Sequence, residues 1–239
     1  MTTHYESSAG LEESFLDFLQ GLCPRYEVQD ILFPSATLIF ILESPHVQEL
    51  QFGAPVSGLS GATMTRHLFG ADYAKFPLGR LVKESPRESA DASAREFTDE
   101  SIGPQLNRIG LINVCNVPLQ SSAYQNQSLV QTHQVWFDAM SAVRTDNQRD
   151  RASNPYCQAV QSILVSSLRD KLESLKDRPC TIVPCGRFAQ KFFRLTGQES
   201  SNWNVIHDVP HPSYNSWDRP RYQSVIDAVS SALSSADGP

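Results

Sequence analysis

The chain has 239 residues, of which 40% are hydrophobic and 19% charged, with a formal net charge of −6. That length and apolar fraction exclude global disorder and allow a sizeable core, while no run approaches the roughly 20 apolar residues of a membrane span. An acidic balance argues against a uniformly basic nucleic-acid binder, though a local basic patch can still steer DNA. The start of the chain, MTTHYESSAGLEESF, is polar and acidic, with no basic segment leading into an apolar one. It does not read as a secretory signal, so a cytoplasmic location is expected. The cysteines at 23, 115, 157, 180 and 185 are odd in number and contain no CxxC. Disulfides, a metal and an iron–sulfur cluster are therefore not expected, and no cofactor is.

In chain order, Leu11, Phe15, Phe18, Leu19 and Leu22 recur at helical spacing. ATLIFIL, residues 36–42, is a short apolar run with the character of a buried strand. It empties into ESPHVQELQFGAPVSGLSG, Glu43 to Gly61, a polar stretch with three glycines and two prolines. This reads as a long loop, and loops of that length in compact domains are often functional. A helix is expected to restart after Gly61. Residues 71–104 are mixed and charged, and KESPRESADASAREF reads as exposed.

RIGLINVCNVP, residues 108–118, is a second strand candidate. Residues 119–155 are rich in Gln, Asn, Ser and Arg and read as a long excursion with a short helix around HQVWFDAM. The strongest helix follows, with Val160, Ile163, Leu164, Leu168, Leu172 and Leu175 on one stripe. CTIVPCG is a third strand and RFAQKFFRL the helix after it. NWNVIHDVPHPS holds a short fourth strand, and PRYQSVIDAVSSAL closes the chain as a helix.

Strands alternating with helices predict an α/β fold: one domain, 1–239, built as a three-layer αβα sandwich around a mostly parallel sheet. In such sheets ligands bind outside the carboxyl ends of the strands. Three polar segments fall at those ends: Glu43–Gly61, Asn113–Pro118 and His211–Ser213.

Those three segments, in that order, resemble the uracil-DNA glycosylase superfamily, and most closely its iron–sulfur branch. The first motif of that branch runs roughly GE(A/G)PGxxExxxGxPFVGxAG. LESPHVQELQFGAPVSGLSG aligns with it without a gap, matching Glu43, Pro45, Glu49, Gly53, Pro55, Gly58 and Gly61. LINV matches the strand ending in TNV, TIVPCGRFAQKFF the strand–glycine–helix, and His211–Pro212–Ser213 the closing HPS. The resemblance spans about Thr37 to Ser213 and implies a uracil-DNA glycosylase-like fold acting on DNA as a monomer. The cluster cysteines are not reproduced. His46 replaces the glycine after the motif proline, and Val56 replaces the phenylalanine that stacks on uracil in relatives.

Breaking an N-glycosidic bond builds positive charge on the sugar and negative charge on the leaving base. The resemblance implies that Glu43 stabilises the sugar and orients water, and that His211 donates a hydrogen bond to the base. Taken alone, Glu43 reads more readily as a turn cap or an arginine partner, and His211 is open to the reading of a loop histidine fixed by Pro212. Asn113 offers a donor and an acceptor suited to a pyrimidine edge, or else simply forms a turn. The resemblance places His46, Ser44 and Val56 beside the base, with His46 gating the pocket, contacting a substituent or merely exposed, and Glu49 is the second-choice carboxylate, read as structural.

Ser57, Gly58, Ser60 and Ser213 would meet phosphates, and Tyr214 or Trp217 would enter the emptied stack or else pack in the core. Arg187, with Lys191, Arg194, Arg219 and Arg221, would supply a basic surface. The expected function is a monofunctional DNA glycosylase that removes a flipped-out pyrimidine. A widened pocket at Val56 and the 119–155 excursion would suit a bulky hypermodified or glucosylated cytosine of phage DNA, an antiviral defence. Uracil repair, an inactive nucleic-acid-binding module and an unrelated αβα hydrolase are the alternatives.

Overall fold

The computed structural model describes residues 8–85 and 101–235. Helix α1 (Ser8–Tyr26) leads to strand β1 (Leu38–Leu42), then α2 (Val47–Phe52), α3 (Leu59–Phe69) and α4 (Leu78–Glu84). Helix α5 (Gly103–Leu106) precedes β2 (Ile109–Asn113). The excursion then holds α6 (Gln127–Thr132) and α7 (Gln134–Thr145). Helix α8 (Pro155–Glu173), β3 (Cys180–Pro184), α9 (Gly186–Thr196), β4 (Trp203–Val205) and α10 (Gln223–Ser234) complete the chain.

The four strands form one parallel sheet in the order β2-β1-β3-β4. Strands β1, β2 and β3 are buried along their whole length, which is why they read as continuous apolar runs without alternation. Side chains still alternate between faces. Ile39, Ile41 and Ile112 join one core with α1, α7, α8 and α9. Leu38, Phe40, Leu42, Leu111 and Val183 join the other with α3, α4 and α10. Helices thus cover both faces, giving the expected three layers.

Three expectations need correction. The stretch after β1 is not all loop, because it contains α2. That helix starts when the Glu49 carboxylate reaches back to the His46 N–H (2.6 Å), and stops at Gly53, whose φ of 62° suits the left-handed end. Helix α3 begins at Leu59, two residues before Gly61. The excursion is mainly helical, and its Trp136, Phe137, Met140 and Val143 are buried against α1 and α8. Of the stretch read as exposed, residues 86–97 lie outside the described residues, while Ser85 is buried.

The strand order places the site. From β1 the chain steps to β2 on one side and then crosses to β3 on the other. The connections leaving β1 and β3 therefore diverge at their carboxyl ends, which opens a crevice there.

Candidate active site

Glu43 is the first residue beyond β1. Its carbonyl accepts from the Cys115 N–H (3.1 Å), and Val114 N–H donates to Leu42 (2.9 Å), so the β1–β2 ladder carries on past the strands and fixes the Glu43 backbone. Its carboxylate accepts from Nε of Arg144 at 2.5 Å, and both side chains are largely shielded from solvent. Arg144 lies on α7, so the excursion sends a cation to the strand end.

The loop from His46 to Gly58 is tied down by Glu49. One carboxylate oxygen accepts from His46 N–H and the other from Val56 N–H (2.7 Å). Burial pushes the Glu49 carboxyl up to about 7, against two backbone donors that hold it down, and the negative charge of Glu43 pushes it further up. Glu49 is thus a clasp on the loop. Lys83 on α4 adds a second tie by donating to the carbonyls of Phe52 (2.8 Å) and Gly53 (3.2 Å).

Val56 is buried and adopts φ of 46°, an unusual conformation for a β-branched residue. Its carbonyl lies so close to Gly61 that a Cβ there would sit 1.7 Å from it. Gly61 is therefore required for the loop to lie against α3.

His211 follows β4 and rests on the start of α9. A Cβ on Gly186 would come within 2.8 Å of the His211 Cβ, and Gly186 takes φ of 84°, so only glycine fits both demands. Nδ1 of His211 accepts from the Ser213 N–H (3.2 Å) and lies 2.8 Å from the Ser213 hydroxyl. A backbone N–H can only donate, so the proton of the neutral ring sits on Nε2. Burial lowers the His211 pKa. Glu43 pulls it up and Arg144 pushes it down.

Glu43, Ser44, His46, Glu49, Val56, Gly58, Ser60, His211, Ser213 and Tyr214 all line one cavity of about 450 Å³ at the strand ends. Gln48, Gln120 and Arg144 line it as well, and none of the three was singled out from the sequence.

Asn113 is not on that wall. It pairs in register with Leu42, which is, and their side chains share a sheet face. Its amide is buried, and neither Oδ1 nor Nδ2 has a hydrogen-bond partner among the described residues. Its backbone, by contrast, is held firmly. The N–H donates to Asp30 (2.9 Å) and the carbonyl accepts from Lys171 (2.7 Å), which also pairs with Asp30 (2.7 Å) and Asn116 (2.6 Å). A buried amide with no partner costs stability unless something else uses it.

Other expected roles change. The Ser57 hydroxyl is buried and donates to the Ala54 carbonyl (2.7 Å), so it cannot meet a phosphate. Arg187 opens onto a separate cleft of about 680 Å³ between α9 and β4, away from Glu43. Lys191 is buried and donates to the Asp146 carbonyl (2.7 Å), which removes it from any basic surface. Trp217 is fully buried and donates to the Pro210 carbonyl (2.9 Å), whereas Tyr214 is 90% exposed. Only the tyrosine is free to contact a partner. All five cysteines are free.

No protein-family model matches the chain, and no curated protein matches it significantly.

Proposed function

We propose that the protein is a monofunctional DNA glycosylase that removes a flipped-out pyrimidine and leaves an abasic site. The observation that carries this reading is the meeting of Glu43 and His211, 168 residues apart, on one cavity at the carboxyl end of a parallel sheet. Glu43 supplies an anion to the sugar as positive charge develops there. His211, neutral and protonated on Nε2, donates to the base as it takes the bonding electrons. Water delivers hydroxide to C1′ of the sugar, and its proton ends on the departing base. Asn113, buried beside Leu42 and off the cavity wall, would pair its amide with the pyrimidine edge only where the base displaces that wall, since a donor and an acceptor side by side match that edge. Tyr214 would fill the gap left in the base stack.

The wall formed by His46, Gln48, Gln120 and Arg144 is rich in hydrogen-bonding groups, and Val56 leaves room that a phenyl ring would fill. This favours a base carrying a bulky polar substituent at C5, of the kind found in hypermodified phage cytosine, over plain uracil.

The test is incubation with DNA duplexes carrying uracil or C5-substituted pyrimidines. Free base should appear together with alkali-labile sites in intact strands. None of the three segments at the strand ends contains a lysine to form a Schiff base. Strand nicking without alkali, together with a borohydride-trapped adduct, would overturn the monofunctional assignment.

A further inference from the structure

Glu43 and His211 create an electrostatic problem that neither residue solves. A carboxylate beside an imidazole favours the imidazolium, yet a leaving base that must be stabilised by a hydrogen bond is best served by a neutral donor of fixed tautomer. The tautomer is settled by Ser213, whose N–H holds Nδ1 as an acceptor. The charge needs a different device.

We propose that Arg144 is a positioning residue that clamps the Glu43 carboxylate and balances its charge, so that His211 remains a neutral Nε2–H donor. The proposal rests on the glycosylase reading for its purpose, but its physical content concerns three side chains on three different elements. Arg144 comes from α7, Glu43 from the end of β1, and His211 from the turn after β4. The Arg144–Glu43 contact is 2.5 Å, and the two side chains are 31% and 18% exposed, so solvent screens the pair only partly.

The same guanidinium acts on His211. It lowers the affinity of the imidazole for a proton, in opposition to Glu43. The other titratable groups on the cavity wall are His46, Glu49 and Tyr214. Glu49 is turned toward the His46 and Val56 N–H groups. From α9 it is Gly186, which carries no charge, that packs on His211. Glu43 and Arg144 are therefore the pair that sets the field at the ring.

The arrangement also explains why the excursion is built as helix. A guanidinium that must hold a carboxylate in one orientation needs a rigid base, and α7 is anchored by Trp136, Phe137, Met140 and Val143.

The experiment is a titration of the full-length protein with ¹⁵N-labelled histidine, following the His211 ring nitrogens by NMR, alongside base release as a function of pH. In Arg144→Gln the His211 pKa should rise, as expected when one of two opposed neighbouring charges is removed. The acid limb of the pH–rate profile should move up by the same amount. Arg144→Lys, which keeps the charge, should titrate close to wild type while its turnover falls, because an ammonium cannot reproduce the guanidinium geometry. Glu43→Gln should lower the His211 pKa.

An unchanged His211 pKa in Arg144→Gln overturns the proposal. Should that variant fail to fold, an unchanged pKa in Glu43→Gln overturns it equally, since there would be no field for Arg144 to balance. The titration needs no turnover. If the wild type releases no base from any DNA, the glycosylase reading falls while the charge arrangement is still decided.

Discussion

Two hollows of the molecule, one along α9 and β4 and one at the carboxyl ends of the strands, differ in a way that size alone misjudges. The cleft between α9 and β4 is the larger, about 680 Å³ against about 450 Å³. Several of its polar groups, however, are engaged with the protein, although Oδ1 of Asn147 on its wall is buried without a partner among the described residues. Lys191 is tied to the Asp146 carbonyl, Arg194 pairs with Asp150 at 2.7 Å, and Gln190 donates to the Val209 carbonyl at 2.9 Å. The smaller cavity sits where the strand connections diverge. It holds an imidazole of fixed tautomer and a carboxylate with its own counterion, and beside it lies a buried amide with no partner among the described residues. Groups held in place but left with unused bonding capacity mark a site better than volume does.

The largest expected effect tests this contrast directly. Glu43→Gln should lower the rate of base release by about 10²-fold or more while DNA affinity stays close to wild type, since the interaction is made mainly in the transition state. Arg194→Gln, in the larger cleft, should change neither quantity. Single-turnover rates and equilibrium binding for both variants would check it. A loss in Arg194→Gln equal to that in Glu43→Gln would shift the site to the other hollow.

Asn113 sharpens the comparison from the side of stability. Because its amide is buried without a partner among the described residues, Asn113→Leu should hold or raise stability, by up to about 1–3 kcal/mol, the cost of an unsatisfied buried polar group. The same change should lower base release at least about tenfold, if the amide reads the base edge. A variant that is both less stable and fully active would show that the amide serves packing alone. Denaturant unfolding and single-turnover rates give the two readings separately.

The fold was legible because its signals are local. The apolar runs at 36–42, 108–118 and 180–186 contain β1, β2 and β3, and the stripe from Val160 to Leu175 falls on α8 as far as Leu172, with Leu175 just past its end. The site was legible only where one short segment supplies its parts, as with Glu43, Glu49 and Val56, or His211 and Ser213. Arg144 lies 101 residues from its partner. Nothing in the sequence around it separates it from Arg149 or Arg151, because only the packing of α7 decides which arginine reaches β1. Tyr214 and Trp217 share one turn, and only the tertiary structure buries one and exposes the other. Lys191 sits in a strongly amphipathic helix, yet on its buried side, which the apolar stripe of α9 does not reveal.

The smallest expected effect concerns Val56, which lines the proposed base pocket. Its backbone is already committed. The N–H is held by Glu49, and φ of 46° is costly for a side chain branched at Cβ. Phenylalanine is not branched there, so Val56→Phe relieves that crowding rather than adding to it. The side chain is also packed, only 4% exposed, so a larger ring has to extend into the cavity that Val56 lines. There it would offer a face for stacking, worth about 1–3 kcal/mol per base, and would fill space that a C5 substituent needs. The ratio of rates for uracil over a bulky C5-substituted pyrimidine should therefore rise by about tenfold, the change that corresponds to ~1.4 kcal/mol. Four rate constants decide it, two substrates with two proteins, measured where thermal unfolding shows both proteins folded. A ratio that does not move would mean that the base does not lie against residue 56. The extra room would then have to be sought beside Gln120 and Arg144, on the wall that the excursion supplies.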